Sequence, residues 1–321
     1  MSNYSTLKQH SEERARLVQD ATATAVTVVV GRRRALTGIR WRADLIVTAA
    51  EAIGGAERVG VRLDGVELDG EVIATDLGTD IAVLRMTAGG TVPDAQDASA
   101  GPGAGSVPVA PSRPALRAGV ALRAGETIAL IGRTLRGPAA LWGSVQLAGP
   151  AWSSRRGGKI DQLLELDVGF VPAFEGAAVI DMDGALAAMA VPGPCQRVLG
   201  IPAETIESVV TKVEKFGHLP KPYIGIRLQA LRLDDDARNR LGRKSRGIAA
   251  VGAVDAGSPA AEAQIQLGDL LLSVDGETAE GVNELARRVA GSSPGQTVVL
   301  EVLRGGKPLT ITVRVGERPR R

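Results

Sequence analysis

"PAFEGAAVIDMDG", residues 172–184, compresses a strand end, a tight turn, a small-residue strand and a hairpin into thirteen positions. Pro172 has no N–H to continue a ladder, so the extended run before it stops there. Gly176 then gives the turn its freedom, and Ala177 to Ile180 read as a short strand of small and β-branched residues. Asp183-Gly184 is a dipeptide suited to a two-residue hairpin. A carboxylate, Glu175, stands at the centre of this otherwise small and apolar stretch. Short strands closed by such turns argue for a sandwich or barrel.

Working outward, the same texture continues in both directions. Upstream lie "AVTVVVG", "DLIVTAA", "RVGVRLDG", "EVIATD" and "IAVLRM", then "ETIALIGR", "ALWGSVQLAG" and "DQLLELDV", with "ALAAMAVP" downstream. Residues 97–117 are rich in Ala, Gly, Ser and Pro and separate the two sets as a connection. "AETIESVVTKVEKFG" switches to helical spacing, with Ile206, Val209, Val210 and Val213 on one face and Gly217 as C-cap. After "HLPKP" a compact module over 222–316 contains five strands and a helix at "GVNELARRVAG". Residues 5–20 carry mixed charge and read as a solvated helix or arm.

Bulk properties narrow the function classes. The 321 residues suffice for two or three domains, and 44% hydrophobic with 23% charged content is ordinary for a globular protein. A net charge of +2 gives no general affinity for nucleic acid or membrane. The basic runs "GRRR" (31–34) and "GERPRR" (316–321) lack interleaved aromatics and read as solvated loops. Gly101, Gly103 and Gly105 lack the strand-to-helix setting of a phosphate loop. The start of the chain shows neither a signal-peptide pattern nor an apolar run of spanning length, giving the expectation of a cytoplasmic protein. Cys195, the single cysteine, is expected to be a buried, inert thiol.

The stretches together resemble the HtrA family, a trypsin-like protease domain of two β-barrels followed by a PDZ domain, over about residues 20–316. "PYIGI" is similar to its carboxylate-binding loop and "AGSPAAEAQIQLGDLLLSVDGE" to a characteristic PDZ phrase. "TDLGTDIAVLRM" resembles the segment with the catalytic Asp, here Asp80. "DLIVTAAEAIGG" resembles the segment with the catalytic His, where this chain has Glu51. "PAFEGAAV" resembles the segment with the nucleophilic Ser, where this chain has Glu175.

The resemblance implies a mainly β fold: an arm over 1–20, a double barrel over 21–208 (about 21–97 and 119–208), a helical linker over 209–221, a PDZ domain over 222–316 and a basic tail over 317–321. Serine proteolysis needs an imidazole and a hydroxyl where this chain has Glu51 and Glu175. The two histidines, His10 and His218, lie outside both barrels, and Ala173 with Phe174 replaces a glycine-bearing oxyanion loop. The expectation is therefore a degenerate triad, no enzyme and no cofactor.

Three carboxylates in one cleft must share a proton, splay apart or hold a cation; the expectation is a remodelled cleft, with the glutamates turned out to water or neutralised by arginines such as Arg133 or Arg136, rather than a metal at Glu51, Asp80 and Glu175. Function then falls to the PDZ groove, with Tyr223, Ile224, Gly225 and Ile226 on one side and Leu285 and Val289 on the other. Its partners would be protein C-termini or extended segments, with a homo-trimer or a mixed assembly with an active relative and no nucleic acid or membrane. The alternatives are an active serine-type or unconventional carboxylate- or metal-dependent endopeptidase, and a holdase-type chaperone.

Overall fold

A computed structural model of the protein describes residues 4–31, 34–63, 66–87, 116, 121–154, 156–279, 281–282, 286, 289, 291–292 and 294–319. Its contacts divide into two units, residues 1–152 with 159–219, and 153–158 with 220–321.

In the first unit, β1 (Ala25–Val30), β2 (Arg34–Arg40), β3 (Leu45–Ala49), β4 (Arg58–Leu63), β5 (Val66–Asp76) and β6 (Ile81–Thr87) close a barrel in the order β1-β2-β3-β6-β5-β4. The period-2 rule is visible in β4, where Val59, Val61 and Leu63 are buried while Arg58 and Arg62 face water. Closure leaves no open edge on this sheet. β1 and β2 pair antiparallel from Ala25 opposite Ile39 to Val30 opposite Arg34, which sets Arg34 at the mouth of the hairpin.

A second closed barrel contains β7 (Thr127–Thr134), β8 (Gly137–Ala148) and the strands Leu164–Asp167, Ala178–Ile180, Leu186–Pro192 and Val198–Pro202. The hairpin at Asp183-Gly184 is held by Asp181, whose Oδ1 accepts from the N–H groups of Asp183 and Ala185 at 3.0 and 2.8 Å. The helix Ala203–Phe216 buries Ile206, Val209, Val210 and Val213 and ends on Gly217 at φ 72°. Two contacts fasten it to the first barrel. Trp41, fully buried, donates its indole N–H to Glu207 at 2.7 Å, and Arg42 reaches both Glu207 and Glu214.

The N-terminal arm is a helix, Tyr4–Thr22, with Leu17 and Val18 against the core and the Arg14 guanidinium 3.9 Å from the centre of the Trp142 ring. No described helix is long and apolar enough to cross a membrane. Cys195 corrects an expectation: it is exposed, in a 3-10 turn at φ 57°. The apolar strand before it ends at Pro192, and Gly193-Pro194 turns the chain outward before the thiol is reached.

The second unit is a twisted sheet with strands in the order Ile226–Arg232, Gly247–Val254, Leu270–Val274, Thr297–Arg304 and Lys307–Arg314, with Glu277–Thr278 beside the third. Its core holds Val251, Ala260, Leu271, Leu300, Val302 and Val313. Buried Asp269 is held by Arg304 through bonds of 2.8 and 2.7 Å. That pair holds the Asp269 carboxyl below its ordinary value, against the opposing effect of burial.

Candidate functional site

The turn over Pro172–Phe174 is a single 3-10 turn that delivers Glu175 to the seam between the barrels. Ala173 therefore needs no left-handed backbone; a helical turn replaces the glycine geometry. The N–H of Glu175 donates back to the Pro172 carbonyl at 3.2 Å and that of Phe174 to Val171 at 2.9 Å. The first of these N–H groups is thereby used within the turn itself. Phe174 is buried, its ring so close to Gly132 that a Cβ there would sit 3.0 Å from it. The pocket beside Glu175, lined by Leu130, Phe170, Phe174 and Val191 among others, has a volume of about 10 Å³. That is about the space of one water.

Thr37, fully buried on β2, ties this turn to the first barrel. Its hydroxyl donates to the Ala173 carbonyl at 2.8 Å and accepts from the Arg133 N–H at 3.1 Å. Its N–H donates to the Glu175 carbonyl at 3.0 Å, and its carbonyl accepts from the Thr48 hydroxyl at 2.7 Å. Gly176, at φ 82°, passes so near that a Cβ would lie 2.2 Å from the Thr37 oxygen.

The side chain of Glu175 is 5% exposed and pairs with Arg34 at 2.8 Å. Arg34 belongs to the basic run read as solvated, and it takes the part expected of Arg133 or Arg136. Asp80 sits in the left-handed region at φ 57°, and its Oδ1 accepts from the Glu51 N–H at 2.7 Å. Burial pushes its carboxyl from 3.8 up to about 6; the N–H groups of Glu51 and Ala50 oppose this, and the charges of Glu51 and Glu175 add to it. The side chain of Glu51, on the short helix Ala50–Ile53, is exposed. Thus Asp80 feels both glutamates, of which Glu51 is exposed and Glu175 is held by Arg34. Among the described residues no three His, Cys, Asp or Glu side chains are placed to hold a metal ion.

His10 lies on the N-terminal helix, 3.6 Å from Glu13, and His218 is half-buried beyond the helix Ala203–Phe216, its Nδ1 2.8 Å from the Phe216 carbonyl oxygen.

In the second unit, Tyr223 pairs with Gly316, and its hydroxyl donates to Asp255 at 2.6 Å, raising the phenol above its ordinary value. Ile224 is buried and its carbonyl accepts from the Ala260 N–H. Gly225, at φ 82°, lies against Ser258, where a Cβ would meet the Ser258 Cβ at 2.1 Å. Ile226 opens the strand Ile226–Arg232, which pairs on one side with Gly247–Val254 and is the edge of the sheet among the described residues. Ile226, Leu228 and Val289 are half-buried and pack on the same core. Leu285 lies outside the described residues, as do Arg287, Arg288, most of the connection over 97–117, and Arg32 and Arg33.

A trypsin-like double barrel followed by a PDZ-type sheet is the class of protein this fold defines. A trypsin-like peptidase domain model matches residues 36–189 and a PDZ domain model residues 222–315. The curated relatives and solved structures that the chain resembles carry serine-endoprotease and HtrA-type names. A probable periplasmic serine endoprotease, DegP-like, of Brucella suis is 27% identical over 290 residues, covering 85% of this chain and 50% of the relative. The periplasmic pH-dependent serine endoprotease DegQ of Escherichia coli is 25% identical over 276 residues, covering 84% of this chain and 56% of the relative. The chain thus spans about half the length of the curated relatives it matches. Among solved structures, the HtrA-type protease AlgW with decapeptide superposes with a TM-score of 0.66 at 20% identity, covering 96% of this chain and 99% of that one.

These comparisons correct two expectations. The relatives are named serine endoproteases, which points to a protease and overturns the expectation of a chain that is not an enzyme. They are also named periplasmic, which overturns the cytoplasmic expectation.

Proposed function

We propose that the chain is an HtrA-type peptide-handling protein of the bacterial envelope, whose PDZ module captures the C-termini or extended segments of other proteins. The observation that carries this is the edge strand Ile226–Arg232, with the apolar Ile226, Leu228 and Val289 beside it and the left-handed Gly225 at its start. Added strands dock on such edges through main-chain hydrogen bonds, while pockets select the side chains.

The relatives' names bring endopeptidase activity to the trypsin-like domain as the reaction to test. In this chain that reaction cannot take its hydroxyl from position 175 or its imidazole from position 51. Asp80, whose carboxyl burial raises to about 6, is the group in the cleft that we assign to acid–base work in that test. A second reading, in which the same domain is a scaffold that holds bound segments, is favoured by the Arg34–Glu175 pair and the pocket of about 10 Å³.

Degradation of an unfolded substrate such as casein, run beside Asp80→Asn and Glu175→Ala variants, separates the two. Cleavage by the wild type that is lost in Asp80→Asn supports the carboxylate route. Intact casein, with retained binding of peptides that end in an apolar residue, supports the scaffold.

A further inference from the structure

We infer that the PDZ groove selects acidic peptides: segments with an apolar last residue, an acidic penultimate residue and acidic side chains about six positions upstream. This rests on the peptide-binding reading above and adds to it the charge of the ligand.

The strand Ile226–Arg232 reads IRLQALR. Ile226 and Leu228 pack on the core, so the exposed Arg227 between them projects from the opposite face. Arg232 is in phase with Ile226 and Leu228 and so lies in line with the groove floor, about 20 Å along the strand from Ile226 at 3.3 Å per residue. Neither arginine meets a carboxylate among the described residues. The strand paired beside them, Gly247–Val254, is GIAAVGAV and carries no charge. The two nearest acids in sequence, Asp234 and Asp235, are committed elsewhere. Asp235 accepts two bonds of 2.7 Å from Arg246 and lies 3.5 Å from Arg238, and Asp234 caps the helix Asp235–Arg240.

A peptide whose terminal carboxylate sits at the Gly225 loop runs antiparallel to this strand, and directly opposed residues share a face. Its last side chain then falls beside Ile226, its penultimate one beside Arg227, and the one six positions upstream of the last beside Arg232. Edge arginines also protect a sheet from pairing with other edges, and a purely protective role would leave binding indifferent to ligand charge.

The test is fluorescence anisotropy of the full chain with labelled nonapeptides ending in Val. Positions facing Arg227 and Arg232 carry Asp, Ser or Lys. The Asp peptide is expected to bind about ten-fold more tightly than the Lys peptide at low salt, as two rim ion pairs supply, with the gap closing at high salt. An Arg227→Glu, Arg232→Glu chain should reverse the order, and its far-UV circular dichroism should match the wild type. Equal binding of all three peptides would overturn the charge selection and leave the groove intact. No binding of any peptide would overturn both.

Discussion

Asp80→Asn should stabilise the trypsin-like unit, and by an amount that depends on pH. The carboxyl is raised from 3.8 to about 6 chiefly by burial. Below about pH 4 the group is protonated in both folded and unfolded chains, so it costs the fold nothing. As pH rises above about 4 the unfolded chain ionises freely, while the folded one holds its proton until about 6 and must then ionise a half-buried group. Stability from this site is therefore lost between about pH 4 and 6 and stays lost above. A displacement of about two pH units corresponds to about 3 kcal/mol at most. Asparagine keeps an oxygen for the Glu51 N–H and tolerates φ 57°, but has no charge to bury.

The assay is urea unfolding followed by tryptophan fluorescence, because Trp41, Trp142 and Trp152 all belong to residues 1–152. The variant should match the wild type near pH 4 and exceed it by up to about 3 kcal/mol at pH 7.5. A gain that is flat across this range, or largest at pH 4, would refute the reasoning.

Two further predictions concern single contacts. Arg34→Met leaves the buried Glu175 carboxylate without its cation and should cost about 3 kcal/mol by the same fluorescence measurement, with most of it recovered in Arg34→Met combined with Glu175→Gln. Gly225→Ala forces a Cβ to within 2.1 Å of Ser258 at a positive φ, and should weaken binding of C-terminal peptides more than ten-fold in an anisotropy titration. Unchanged affinity in that variant would mean that this loop does not hold the peptide's end.

The barrels were legible because their information is local. The alternation in "RVGVRL", the helical spacing of Ile206 to Val213 and the turn at Asp183-Gly184 each announce themselves within a few residues. The identities at 51, 80 and 175 were legible in the same way, from the phrases around them. Their environment was not. The arginine that neutralises Glu175 is 141 positions away, inside a run that looks like a solvated loop. Nothing in "RALTGIR" marks Thr37 as the residue joining both barrels, since threonine is an ordinary strand residue. The fate of Cys195 turned on whether the chain continued its strand past Pro192, a choice made by the Gly193-Pro194 turn.

The bonds around Thr37 make the turn at 172–176 and the inter-barrel seam a single mechanical object. The turn cannot lift away while the first barrel keeps its hold, because the same residue grips the Ala173 and Glu175 carbonyls and the Arg133 amide. In hydrogen exchange the amides of Thr37 and Arg133 should therefore share one opening clock. A binding partner that prised the barrels apart would unlock Glu175 in the same movement.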